Sequence, residues 1–208
     1  MNYKDYIIFV LMKSVDLKVI IFVFLCLIFQ PVLSQEEKQE KESSIKINQF
    51  PGKIPARFQN LDIDLKREKF YKQRDGDEIS YEMKFRHQRY DYSVEVDTLG
   101  HLIDIEIKVK KKKMPKELID KIEKHFDQDF DRFKIEKIQA QLRKNDQPTQ
   151  KLIQKVIQNP LASPDYYEII VAVKESGNFK RFEFLFDTQG QVEKKRKVIR
   201  NEFNYLIF

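Results

Sequence analysis

From Ile79 onward, apolar and polar residues alternate. Ile79, Tyr81, Met83 and Phe85 are separated by Ser80, Glu82 and Lys84; Tyr90, Tyr92, Val94 and Val96 by Asp91, Ser93 and Glu95; Ile103, Ile105, Ile107 and Val109 by Asp104, Glu106 and Lys108. A period of two places successive side chains on opposite faces, so these runs predict antiparallel strands with one apolar and one polar face. Leu65 to Lys72 predicts a weaker strand ending in the Asp75-Gly76 turn, and further strands are predicted from Phe133, Tyr166, Phe179 and Val192. Phe179 and Leu185 fall opposite Phe182, Phe184 and Phe186, which makes that sheet apolar in part on both sides. Helical spacing is confined to three places. Leu118, Ile119, Ile122 and Phe126 form one stripe behind Pro115; Leu152, Ile153, Val156 and Ile157 form another between Pro148 and Asn159-Pro160; Ile54 to Phe58 makes a shorter helix.

Two strands end in the same corner. Val94-Glu95-Val96 runs into Asp97-Thr98-Leu99-Gly100, and Phe184-Leu185-Phe186 into Asp187-Thr188-Gln189-Gly190. In each, the aspartate can accept a backbone N–H two residues on, and the glycine can take the positive φ of a tight hairpin. Upstream, Tyr81-Glu82 matches Tyr167-Glu168, Phe58 matches Phe126, and Lys66, Glu68, Lys69 and Gln73 match Lys134, Glu136, Lys137 and Gln141. These anchors predict an α+β fold built as a tandem repeat. Each unit is one helix plus a four-stranded antiparallel sheet, over 50–113 and 114–208, with an extra helix inserted in the second at about 148–159.

This order of elements resembles the PepSY-like, β-lactamase-inhibitor-like proteins of the bacterial envelope. The resemblance rests on the apolar residue plus proline before each helix (Ile54-Pro55, Met114-Pro115), the tyrosine-glutamate pairs and the Asp-x-x-Gly corners, over about residues 49–199. It implies an exported, non-enzymatic protein that binds a protein partner, with inhibition as an extension no residue here carries. The chain departs from the pattern where Phe70 and Ile138 replace a common tryptophan, and in the stretch from Gln141 to Ser163.

The ends of the chain set the expected place of work. Lys13 and Lys18 precede the apolar run Val19 to Phe29, which Pro31 breaks. That run is shorter than the roughly 20 residues of a bilayer-spanning helix, so 1–34 reads as a signal peptide cleaved near Ser34, with an uncleaved anchor as the alternative, and the mature chain as periplasmic or secreted. The apolar patch Tyr6 to Val10 is not needed by such a signal, which makes Met12 the simpler start. Residues 35–49 are polar and charged and read as a disordered spacer, and Phe203 to Phe208 as a short added strand.

A net charge of +6, from 39 basic and 33 acidic residues, permits attraction to anionic surfaces without the excess typical of nucleic-acid binders. No nucleic-acid partner is expected. The basic residues gather in two strings, Lys108 with Lys110, Lys111, Lys112 and Lys113, and Lys194, Lys195, Arg196 and Lys197. On strand ends such strings either keep neighbouring chains from adding to an open sheet edge or bind anions such as envelope lipid or polysaccharide. Anion binding at these residues is therefore the alternative function.

No catalytic, cofactor or metal site is expected. Asp97-Thr98 and Asp187-Thr188 resemble halves of a paired-aspartate centre, but an extra residue precedes each glycine and turn chemistry explains them. Asp127, Asp129 and Asp131 have calcium-loop spacing without its glycine or closing glutamate, since Arg132 and Ile138 stand there. His87, His101 and His125 are scattered, and the one cysteine, Cys26, lies in the export signal.

Overall fold

The computed structural model describes residues 36–175 and 177–199, so the export signal expected over 1–34 and the strand expected over 203–208 lie outside the described residues. The elements are β1 (Glu36–Lys38), β2 (Glu40–Ile45), α1 (Ile54–Gln59), β3 (Lys66–Asp75), β4 (Glu78–His87), β5 (Tyr90–Val96), β6 (Leu102–Lys108), α2 (Lys116–Asp129), β7 (Arg132–Arg143), α3 (Thr149–Gln158), β8 (Tyr166–Glu175), β9 (Asn178–Asp187) and β10 (Val192–Val198).

All ten strands join one sheet, in the order β1-β10-β9-β8-β7-β6-β5-β4-β3-β2. Two separate four-stranded sheets were the expectation, and the β6–β7 pairing overturns it. Ile105 lies opposite Leu142 and Ile107 opposite Ala140, so the apolar faces of the two halves run into each other without a break. The physical reason is that a strand edge left open carries unpaired N–H and C=O groups, and β6 and β7 satisfy each other's.

The sheet also bends round on itself. β1 and β2 sit at opposite ends of the strand order yet are separated in the chain only by Gln39. β1 runs parallel to β10, with Glu36 opposite Arg196, and β2 runs antiparallel to β3, with Ile45 opposite Phe70. One segment thus seals both ends into a nearly closed barrel. This corrects the reading of residues 35–49 as a disordered spacer, since the described part of that stretch forms strands over Glu36–Lys38 and Glu40–Ile45. Their low hydrophobicity is no obstacle, because main-chain hydrogen bonds hold them and the face they turn inward is polar.

The apolar stripes lie on the outer face under the helices. Around α2, Ile122 and Phe126 are fully buried with Ile169, Val171 and Phe186. The Phe126 ring meets Phe133, Phe184 and Phe186 at centroid separations of 5.3, 5.1 and 5.7 Å. The other half has only the six-residue α1, whose Phe58 packs on Phe85 at 5.0 Å. The remaining cover comes from α3, whose Leu152, Ile153, Val156 and Ile157 join Met83, Val94, Ile105 and Leu142. The helix inserted between β7 and β8 therefore serves the sheet of the first half, and the two halves do not each cover their own strands. Trimming Ile153 to valine is expected to cost about 1 kcal/mol in urea unfolding; an unchanged midpoint would place α3 off the sheet.

A β-bulge corrects one detail of register. Val96 pairs with Leu102 and Glu95 with Asp104, so Ile103 is the extra residue, and Leu102 takes its expected place in the core. Ile103 is left exposed on the opposite face.

Candidate binding cavity

Because the apolar residues face the helices, the alternate residues of every strand face the barrel interior. Three carboxyls stand in one row across neighbouring strands, Glu82 of β4 opposite Glu95 of β5, and Glu95 opposite Asp104 of β6. Like charges directly opposite each other repel. Two residues along β6, Glu106 faces Gln141, and two residues further along β7, Gln139 faces Glu168. These side chains surround a cavity of about 550 Å³ whose wall includes Lys38, Glu82, Asp104, Glu106, Glu168 and Arg196, with Glu78 and Ile103 near its rim. A smaller space of about 300 Å³ shares Glu82, Lys84 and Lys137 with it and is edged by Lys69, Lys108 and Gln139.

At the seam, cations and carboxylates are matched. Lys38 Nζ lies 2.5 Å from Glu183 and 2.9 Å from Glu40, and Arg196 bonds both Glu183 and, at 2.9 Å, Asp75 of β3. These pairs tie the first and last strands together across the closure. Burial opposes ionisation of Glu183, but Lys38 and Arg196 outweigh it and hold its carboxyl below the usual range. Lys84 sits 2.8 Å from Glu42 and 2.9 Å from Glu82.

Away from the seam, the balance reverses. Burial pushes Glu82 up to about 7 against the pull of Lys84. Burial and the neighbouring Glu183 charge push Glu168 up to about 7 as well. Burial and other carboxylates raise Asp104 and Glu106 well above their ordinary values, and burial raises Glu95. Asp104 accepts from Gln141 Nε2 at 2.8 Å, and Glu106 accepts from Gln139 and Gln141. Glu168 is 8% exposed and, among the described residues, makes no hydrogen bond and no ion pair.

These shifts set an unusual pH dependence. A carboxyl whose folded pKa is raised binds more protons folded than unfolded, so its stabilising contribution is fully present below the unfolded value near 4.5 and is lost as pH rises through about 7. Glu40 and Glu183 are lowered and act the other way, losing their contribution below about 4.5. Stability is therefore expected to rise by a few kcal/mol from pH 8 to about pH 5, then fall on further acidification. Calorimetric unfolding temperatures across that range check it, and a flat or inverted slope between pH 5 and 8 contradicts it.

The residues singled out from the sequence are spread over the barrel. At the two corners, Asp97 Oδ1 accepts from the N–H of Leu99 and His101, and Asp187 Oδ1 from Gln189 and Gln191, all at 2.8 or 2.9 Å, while Gly100 and Gly190 hold φ of +80° and +86°. Those bonds occupy the carboxylates as turn formers. Neither lysine string lies on an open edge, since β6 pairs with β5 and β7, and β10 with β9 and β1. Lys195 lies on the outer face over the Phe182 ring at 4.7 Å, Arg196 points inward to Glu183, and Lys197 is 3.6 Å from Glu37. Lys111 pairs with Glu123, while Lys110, Lys112 and Lys113 are exposed and Lys108 edges the smaller space. Lys194 sits inward beside Leu185 in the register. The strings do not converge. Nor do the histidines: His87 contacts the Asp64 carbonyl, His101 contacts Asp97, and His125 packs edge-on or tilted against Phe126, Phe184 and Phe186. Among the described residues, no three acidic, histidine or cysteine side chains are arranged to hold a metal.

The interior carboxyls escaped sequence reasoning because alternation marks a polar face without saying whether it meets water or itself. One signal was present. The polar positions of four strands carry Glu82, Glu95, Asp104, Glu106 and Glu168, an acidic choice unlike the lysines found elsewhere.

No family model matches the chain, and no curated protein matches it. Among solved structures, the chain is similar to a BLIP-like protein from Bacteroides fragilis, with a TM-score of 0.45 and 11% identity over 74% of this chain and 92% of that one. It is similar to a DUF2874 family protein from Bacteroides uniformis, with a TM-score of 0.46 and 9% identity over 71% and 88%. A DUF2874 family protein from Bacteroides ovatus gives 0.43 and 11% over 71% and 87%. Likeness at this level assigns neither residues nor ligand.

Proposed function

We propose that this chain is a non-enzymatic binding module that works outside the cytoplasm and receives a small polar ligand inside the barrel. The observation that carries the reading is the cavity of about 550 Å³, within the usual range of ligand sites and walled by ionisable groups withdrawn from bulk water. Unpaired buried carboxyls are costly, and a ligand that completes their interactions repays that cost on binding. Export is supported by Lys13, Lys18 and the apolar run Val19 to Phe29 before Pro31. Among the described residues, no helix is long and apolar enough to cross a membrane.

A ligand that binds only the folded chain raises its unfolding temperature. A thermal-unfolding screen of the purified chain against cationic, anionic and neutral solutes of cavity size is expected to give stabilisation by one class, weakened in Glu168→Gln. Stabilisation by none of them overturns the reading.

A protein partner is the second reading, and Phe179 favours it. This side chain is 80% exposed where β9 begins, beside Val198 and Ile199 and among Lys180, Arg181 and Lys197. A partner from the cell envelope captured by the native chain should be lost with Phe179→Ser if this surface is used.

A further inference from the structure

Four carboxyls facing the cavity form no ion pair among the described residues: Glu95, Asp104, Glu106 and Glu168. The bonds and ring contacts that the cations of the same wall make go to other groups. Lys38 and Arg196 are held by Glu183, Glu40 and Asp75, Lys84 by Glu42 and Glu82, and Arg143 lies over the Tyr166 ring at 4.5 Å. Lys137 acts on Glu106 and Glu168 only through its field, and Lys38 and Arg196 reach Glu168 in the same way.

Two buried groups without a hydrogen-bond partner, one of them not an acid, point to a missing occupant. Glu168 is more than nine-tenths buried, lines the cavity and makes no hydrogen bond or ion pair among the described residues, although Lys38, Lys137 and Arg196 act on it through their fields. Gln139, at the edge of the smaller space, is 5% exposed and donates from Nε2 to Glu106, but its buried Oε1 has no donor. A buried acceptor and a buried carboxylate both lack N–H groups, and leaving either unmade is expensive. The occupant is not a compact metal ion, because such ions need several oxygens converging on one point and no such group exists among the described residues. The carboxyls are distributed along β5, β6 and β8, with Gln139 and Gln141 of β7 between them.

We propose that the cavity, together with the smaller space that shares its Glu82, Lys84 and Lys137 wall, binds a linear polyamine, a flexible cation whose separate ammonium groups reach Asp104, Glu106 and Glu168 and whose N–H groups satisfy Gln139 Oε1 at the edge of the smaller space. This rests on the barrel interior being the ligand seat. Charge-assisted hydrogen bonds to carboxylates are stronger than neutral ones, and spaced ammonium groups serve spaced acids. Glu168 is faced by Glu183, Lys38, Lys137 and Arg196, so a bound ammonium ionises it against burial and releases protons.

The test is calorimetric titration of the full chain with spermidine at low salt and pH 6.5, in two buffers of different ionisation heat. Saturable binding with proton release is expected. Glu168→Gln should weaken it at least about tenfold and reduce the protons released, while keeping a cooperative unfolding transition. Asp104→Asn is the second variant, should Glu168→Gln not fold. Equal affinity for spermidine in a folded variant overturns the proposal, as does tighter binding of magnesium or inorganic phosphate. Absence of spermidine binding beside stabilisation by another solute sinks the polyamine and leaves the binding module. Stabilisation by no solute sinks both.

Discussion

Replacing Gly100 by alanine is expected to destabilise the fold by about 3–5 kcal/mol. The residue holds φ at +80°, where a side chain costs about 1–2 kcal/mol. A Cβ there would also stand 2.4 Å from Gly52 Cα, 2.6 Å from Gly52 N and 2.7 Å from the Pro51 carbonyl carbon. All three are backbone atoms, so no side chain can swing aside, and the segment entering α1 must shift. The matched corner provides the control. A Cβ on Gly190 would meet Leu118 Cδ1 and Lys121 Cβ at 3.3 Å, contacts that relax, so Gly190→Ala should cost only about 1–2 kcal/mol. Urea unfolding of the two variants decides the matter: equal losses would mean that the approach of Gly52 to Gly100 does not hold the first corner in place.

Replacing Lys38 by methionine is expected to cost about 3–5 kcal/mol, by opening the seam. Lys38 Nζ is shared by Glu40 and Glu183, and the neighbouring Glu carboxyls lift its affinity for the proton above the ordinary value despite burial. Methionine keeps the volume and removes the charge, which leaves Glu183 with Arg196 alone. Both β1 and the closing of the barrel depend on this corner, since β1 spans only Glu36–Lys38. Amide hydrogens of β10 should therefore exchange faster in the variant, and adding Glu183→Gln should recover part of the loss by removing the charge left behind. A cost below about 1 kcal/mol would show that main-chain pairing closes the sheet without the ion pairs.

The stripes of α2 and α3 were legible because a buried helix face must recur every 3.6 residues, and Leu118, Ile122, Phe126, Leu152 and Val156 do so and are buried. The strands β4, β5 and β8 were legible for the matching reason at period two. The corner chemistry was also local, for Asp97 and Asp187 bond N–H groups within four residues. The pairing of β6 with β7 was not legible, nor was the assignment of α3 to the far half of the sheet. Both join residues through contacts that alternation does not encode, and the repeated corners favoured two self-contained units.

The amino-acid order by itself determined which residues form strands and helices, which face of each is apolar, and where the chain turns. Those properties follow from local geometry and side-chain periodicity. Only the tertiary structure decided that ten strands share one sheet, that the polar segment 36–45 closes it, and that Glu82, Asp104, Glu106 and Glu168 face one another around a cavity. The reason is that backbone hydrogen bonds carry no record of side-chain identity, so the partner of a strand edge, and whether a polar face meets water or another polar face, is settled by the closure of the whole sheet.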